Sequence, residues 1–197
     1  GAIFFSSSTS RFKIGDSSKD VSEGIPSGVL CKWSPSRGIE KLMDGLYFAN
    51  GVALSPDEKF VLVAETGRAR ISRYWLAGEL KGTSDVFCEN LPGLPDNINL
   101  GTDHLIWVAM VVSTTSTIKK VWAAPYYLRW LYARAPKSVK GRQEKIIRIM
   151  ALDFHGEVKC EISLESEKYN FVTSVREMNG YLCLGSINQE SAARIRL

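Results

Sequence analysis

The side chains of this sequence with the clearest potential for chemistry are Asn50, the adjacent pair Asp96 and Asn97, and Thr173. Each opens a short apolar segment: Asn50-Gly51 before Val52-Ala53-Leu54, Asp96-Asn97 before Ile98, and Thr173 before Ser174-Val175. Amide and carboxylate oxygens are hard donors, suited to a hard cation such as calcium or to holding a substrate. The competing reading is that Asn50 and Asn97 cap turns before Gly51 and Ile98 and bond local backbone. Nucleophilic catalysis finds less support. The hydroxyl-rich run Ser6 to Ser10 has no Gly-x-Ser-x-Gly around it, and neither His104 nor His155 has an obvious partner. His155 falls in the turn Asp153–Gly156 and is expected to face solvent. Glu65 ends the run Val63-Ala64-Glu65 and is expected to form a structural ion pair with Arg68, Arg70 or Arg73.

What must position these residues is a repeated strand unit. Around Asn50 the chain reads strand, turn, strand: Val52 to Leu54, the polar turn Ser55-Pro56-Asp57-Glu58-Lys59, then Phe60-Val61-Leu62-Val63-Ala64. The second strand recurs as Ile3-Phe4-Phe5-Ser6, Leu105-Ile106-Trp107-Val108-Ala109 and Tyr181-Leu182-Cys183-Leu184-Gly185. A third strand is read at 29–33, 69–74 and 145–150, and a fourth at 39–42, 84–88 and 158–162. The spacing is about 46 residues, lengthened before Thr173 by about 30 and near residues 15–24 by about 10. Short antiparallel strands in fours at that period predict an all-β chain of β-propeller blades, about four of them or parts of them. A β-sandwich would not produce the equal spacing. A propeller aims the starts of its inner strands at one central channel, which would bring Asn50, Asp96, Asn97 and Thr173 to a common ligand.

The composition is that of a globular domain, 45% hydrophobic and 23% charged over 197 residues. No apolar run approaches the ~18 residues of a membrane-spanning helix. The start, Gly-Ala-Ile-Phe-Phe-Ser, lacks the basic region and apolar core of a signal peptide and reads as a strand met midway, as in a piece of a longer protein. Four cysteines without a CxxC and two histidines argue against zinc, and the cysteines read as buried or unpaired thiols. There is no Asn-x-Ser/Thr sequon.

The net charge of +4 belongs to one segment. No acidic residue occurs between Asp103 and Glu144, where Lys119, Lys120, Arg129, Arg134, Lys137, Lys140 and Arg142 lie. This insertion, about residues 113–143, also carries Trp122, Tyr126, Tyr127, Trp130, Leu131 and Tyr132. Ile118, Trp122, Tyr126 and Trp130 share one face of a helix, which Pro125 bends or starts. Two readings are open. The insertion is a lid that packs its aromatics over the channel mouth with its charges solvated, or an amphipathic surface that meets a membrane. A positive charge confined to one insert gives no footprint for nucleic acid.

Several stretches carry a family likeness. Asp44-Gly45-Leu46-Tyr47-Phe48-Ala49-Asn50-Gly51-Val52-Ala53-Leu54-Ser55, Val63-Ala64-Glu65-Thr66 and Ile71-Ser72-Arg73-Tyr74-Trp75-Leu76 resemble the strictosidine synthase-like family. Gly82 to Phe87, Leu91 to Ile98, and Val175 to Gly185 extend the likeness over most of the chain. It implies a six-bladed β-propeller of four-stranded blades, distantly related to paraoxonases and gluconolactonases, of which this chain would hold about four blades and one helical insertion. In the paraoxonase-like relatives the positions matching Asn50, Asp96 and Asn97 ligate a catalytic calcium. That metal would assist hydrolysis of a small ester or lactone. Two further ligands are implied, an acidic residue in a blade ahead of this chain and one at the strand end here occupied by Ser6-Ser7-Ser8. True strictosidine synthase condenses an amine with an aldehyde and uses a glutamate where this chain has Thr173. A threonine does not shuttle protons near neutral pH, so that activity is not expected. A third reading is a non-catalytic propeller that binds a small molecule or partner. The family also implies the secretory pathway, in the endoplasmic reticulum, vacuole or outside the cell.

Overall fold

The computed structural model describes residues 1–102, 104–140 and 144–197, and its strands form four antiparallel sheets in chain order. The first contains β1 (Ile3–Ser7), β2 (Gly28–Ser34) and β3 (Gly38–Leu46). The second contains β4 (Ala49–Leu54), β5 (Phe60–Glu65), β6 (Arg70–Trp75) and β7 (Ser84–Cys88). The third contains β8 (Gly93–Leu100), β9 (Ile106–Ser113), β10 (Ile146–Leu152) and β11 (Val158–Glu165). The fourth contains β12 (Val172–Met178), β13 (Tyr181–Ser186) and β14 (Ala193–Arg196). Strand order within each sheet follows the sequence, and β4, β8 and β12 neighbour one another from sheet to sheet. This is the up-and-down blade topology of a β-propeller, with β4, β8 and β12 as inner strands. Every strand read from the sequence has its counterpart; β14 is an addition.

The packing explains why the second strands read as unbroken apolar runs. All six residues of β5 are buried, and its two faces serve different interfaces. Phe60, Leu62 and Ala64 pack toward the third sheet with Leu94, Ile98, Ile106, Val108 and Met110. Val61 and Val63 pack toward the first sheet with Leu30 and Leu46. β9 repeats the arrangement: Ile106, Val108 and Met110 face back to the second sheet, Trp107 and Ala109 forward to Val172, Val175, Leu182 and Leu184 of the fourth. Side chains alternate across a strand, so a sheet sandwiched between two others needs apolar residues on both faces. The cores therefore lie between blades and hold them side by side.

Helices occur where one second strand leaves its sheet and the chain crosses to the next element. α1 (Ser17–Glu23) lies between β1 and β2, and α2 (Ser116–Ala123), α3 (Tyr126–Arg134) and the single turn α4 (Lys137–Lys140) lie between β9 and β10. The corresponding connection after β5 is a 3-10 turn, Thr66–Arg68. All three stand at the end of the sheets where β4, β8 and β12 begin. α1 was not legible in its polar surroundings. It ends at Gly24, whose left-handed φ of 54° closes the helix. The aromatic spacing across the insertion does not make one helical face. Pro125 starts α3 and leaves Ala124 extended, so Ile118 and Trp122 belong to α2 and Tyr126 and Trp130 to α3.

Candidate functional site

The three inner strands share an irregularity at the residues singled out above. Ala49 pairs with Glu65 and Val52 with Val63, so Asn50 and Gly51 together oppose one residue. Pro95 pairs with Met110 and Ile98 with Val108, so Asp96 and Asn97 likewise oppose one. Val172 pairs with Ser186 and Ser174 with Gly185, leaving Thr173 as the extra residue. Each of these three strands thus carries a one-residue β-bulge at the same place, a device that re-aims side chains and accompanies functional sites. Phe48 and Phe171, each two residues ahead of a bulge, take left-handed φ values of 53° and 56°. Bulky residues pay about 1–2 kcal/mol for that conformation, which the surrounding packing must offset.

The bulges touch. A Cβ on Gly51 would stand 2.4 Å from the Ile98 amide nitrogen and 2.6 Å from Asn97 Cα. Only a glycine allows β4 to come that near β8. Across the next seam Asn97 Nδ2 donates to the Thr173 carbonyl at 2.8 Å, and Asn99 Nδ2 to the Val175 carbonyl at 2.9 Å. On the other side Ser6 Oγ donates to the Asn50 carbonyl at 2.6 Å. Ser6, Asn50, Asp96, Asn97 and Thr173 therefore form one polar line across four sheets. Sequence reading missed Thr66, which completes it: Thr66 Oγ1 donates to the Pro95 carbonyl at 2.6 Å and receives Asn50 Nδ2 at 3.3 Å. Its signal was its place directly after a buried strand, opposite Asn50.

Among the described residues the side-chain hydrogen bonds of both asparagines run through their nitrogens, and apart from Asn97 to Asp96 they reach across strands to Thr66 and Thr173 and not to the local backbone that the turn-capping reading expects. Asn97 Nδ2 is shared between the Thr173 carbonyl and Asp96 Oδ1, 3.3 Å away. Among the described residues no side-chain hydrogen bond uses their amide oxygens, which stay available as acceptors. Burial pushes the Asp96 carboxyl up to about 6, with an Asn50 hydrogen bond pulling the other way. Among the described residues no lysine, arginine or histidine pairs with Asp96, and no three His, Cys, Asp or Glu side chains cluster as a ready metal cage. Two amide oxygens and one carboxylate fit a hard cation that takes six to eight oxygens, provided water, substrate or other parts of the protein fill the remainder. Thr173 is buried and its Oγ1 faces the Gly185 carbonyl at 3.4 Å, an arrangement without acid–base capacity.

The other reactive-looking groups have structural roles or none. Glu65, fully buried, accepts from the Tyr47 amide at 2.8 Å, Arg70 Nε at 2.7 Å and Ser72 Oγ at 2.5 Å. Arg70 is the partner among the three arginines considered. Glu177 sits at the far end of β12, where it binds the Trp107 indole at 2.8 Å together with Thr102. His155 and His104 are exposed, and all four cysteines are free. A surface concavity of about 230 Å³ includes Lys41, Asp44, Tyr74 and Ser84 and none of the residues on the polar line. The chemistry of the line, not that hollow, marks the candidate site.

Comparison with known proteins agrees with this architecture. The sequence model of the family described as strictosidine synthase matches residues 1–79. Over 99% of its length the chain is 33% identical to the adipocyte plasma membrane-associated protein of Gallus gallus, covering 49% of that protein. It is 28% identical over its whole length to strictosidine synthase-like 7 of Arabidopsis thaliana, covering 52%. The chain therefore spans about half the length of the curated relatives it matches. Among solved structures, regucalcin of Agrobacterium tumefaciens, a calcium-binding protein, superposes with a TM-score of 0.60 at 14% identity. That alignment covers 96% of this chain and 51% of that one. A gluconolactonase of Xanthomonas campestris superposes with a TM-score of 0.51 at 14% identity, covering 81% and 41%. At such identities these structures speak for the fold alone: four consecutive sheets of a β-propeller. The chain is thus similar along its whole length to about half of proteins named adipocyte plasma membrane-associated and strictosidine synthase-like, and its first 79 residues match the strictosidine synthase family model.

Proposed function

We propose that the full-length protein is a calcium-assisted hydrolase of small esters or lactones, and that this chain contributes Asn50, Asp96 and Asn97 as oxygen ligands. The observation that carries the reading is the Asp96 carboxylate, held at a bulge between two amides whose nitrogens are already engaged. A half-buried carboxylate without a paired cation is costly, and a bound cation removes the cost. Calcium at this position supplies a Lewis acid for an ester carbonyl and for the charge that develops on its oxygen. The chain's own part is to hold three oxygens rigidly: Thr66 and Thr173 orient the asparagines, and Gly51 keeps β4 against β8. The names of two neighbours, a calcium-binding regucalcin and a gluconolactonase, point the same way. Relatives named for a plasma membrane association support placing the protein in the secretory pathway or at a membrane.

The test is calorimetric titration of the full-length protein with calcium after chelation, beside an ester and lactone hydrolysis panel. Binding and turnover that both vanish in Asp96→Asn support the hydrolase. Calcium binding without turnover on any of these substrates favours a ligand-binding propeller. No calcium binding at all refutes the assignment. The condensation for which the family is named is not expected, since Thr173 offers no carboxylate.

A further inference from the structure

We propose that the outward face of α3 docks on an anionic lipid surface. The helix is inverted relative to an ordinary surface helix. Its two arginines reach back to acceptors on and just after α1, while most of its large apolar side chains point out. Arg134 Nη1 donates at 2.6 Å to Glu23, a carboxylate with no exposed surface that also receives Arg11 at 2.7 Å. Arg129 Nη1 reaches the Gly24 carbonyl at 3.0 Å. Tyr127 is 68% exposed, Leu131 61% and Trp130 43%, with Tyr126 and Leu128 beside them, and the Arg134 guanidinium stacks on the Trp130 ring at 4.1 Å. Tyr127 and Leu131 are one turn apart, as are Tyr127 and Trp130, so these residues make one continuous patch. The lid reading expected aromatics inside and charges solvated, and α2 follows it with Lys119 and Lys120 exposed, whereas α3 leaves its aromatics outside. Trp122 packs inward, its indole donating to the Val21 carbonyl at 2.9 Å.

An exposed patch of this kind marks an interaction surface, and its chemistry selects the partner. Tyr and Trp among leucines are the residues that settle at the level of lipid headgroups. The adjoining helix α2 exposes Lys119 and Lys120, and no acidic residue occurs from 104 to 143. Such a surface attracts anionic headgroups. No helix among the described residues is long and apolar enough to cross a membrane. The buried ion pairs to Glu23 fix α3 to α1, which sets the patch rigidly at the end of the blades where the polar line begins.

The experiment uses full-length protein and vesicles of phosphatidylcholine with and without phosphatidylserine, carrying brominated acyl chains that quench nearby tryptophan. Quenching that needs phosphatidylserine and disappears in Trp130→Phe is the expected result. Lys119→Glu with Lys120→Glu should weaken partitioning about fivefold per lysine, and Tyr127→Ser with Leu131→Ser should weaken it further. Three results overturn the proposal. One is quenching unaffected by Trp130→Phe. Another is Trp130 shielded from an aqueous quencher before vesicles are added, which means other parts of the chain cover the face. The last is a dimer that the Tyr127→Ser, Leu131→Ser variant converts to monomer, which assigns the face to a second copy.

Discussion

Asp96→Asn separates a cation site from a merely polar cluster, because it reverses the sign of two measurements. In the metal-free protein the Asp96 carboxyl titrates at about 6, against 3.8 for the free side chain. The folded state therefore holds the proton more tightly than the unfolded state. Stability should be greatest below about pH 4, fall as pH rises from about 4 to 6, and stay low above that. A gap of about two units corresponds to about 3 kcal/mol. The carboxyl is only partly shielded from water, so about 2 kcal/mol is the working figure. Asparagine is close in size and has nothing to ionise. In a chelator, Asp96→Asn should match the parent at pH 4 and exceed it by about 2 kcal/mol at pH 8. For a domain of this size that is about 4–8 °C in Tm. Calcium at pH 8 should reverse the order, stabilising the parent and leaving the variant unmoved. The assay is thermal unfolding of both proteins across pH, with chelator and with calcium. A difference between them that does not change from pH 4 to pH 8 refutes the burial argument. Equal stabilisation of both by calcium refutes Asp96 as a ligand.

Three further outcomes follow from the same geometry. Gly51→Ala drives a methyl group into the backbone of Asn97 and Ile98; it should cost about 1–3 kcal/mol in denaturant unfolding and weaken calcium binding by parting β4 from β8. Glu65→Ala strands Arg70, Ser72 and the Tyr47 amide beside a buried gap, and a loss of about 3 kcal/mol or more is expected by the same assay. Burial opposes ionisation of Glu23, yet Arg134 and Arg11 outweigh it and hold its carboxyl below the usual range. The pairing therefore stabilises the fold above about pH 4 and is lost as pH falls through that lowered value. Hydrogen exchange should show α3 opening in acid, and Glu23→Gln should open it at neutral pH.

What the sequence alone determined is the repeat. Strand runs at equal spacing, apolar on both faces in β5 and β9, already demand sheets stacked side by side, because burial of both faces is a property each residue reports locally. Asn50, Asp96, Asn97 and Thr173 were legible for the same reason: they occupy one position of the repeating unit. What only the tertiary structure decided are the relations between units. The matching bulges, the glycine that lets β4 touch β8, and the entry of Thr66 all depend on contacts between residues far apart in the chain. The direction of α3 is the sharpest case. Its aromatic residues suggested a buried face, but Tyr127, Trp130 and Leu131 stay exposed, and the helix is held instead by Arg134 reaching Glu23, buried on a helix more than a hundred residues earlier. No local pattern records that partner.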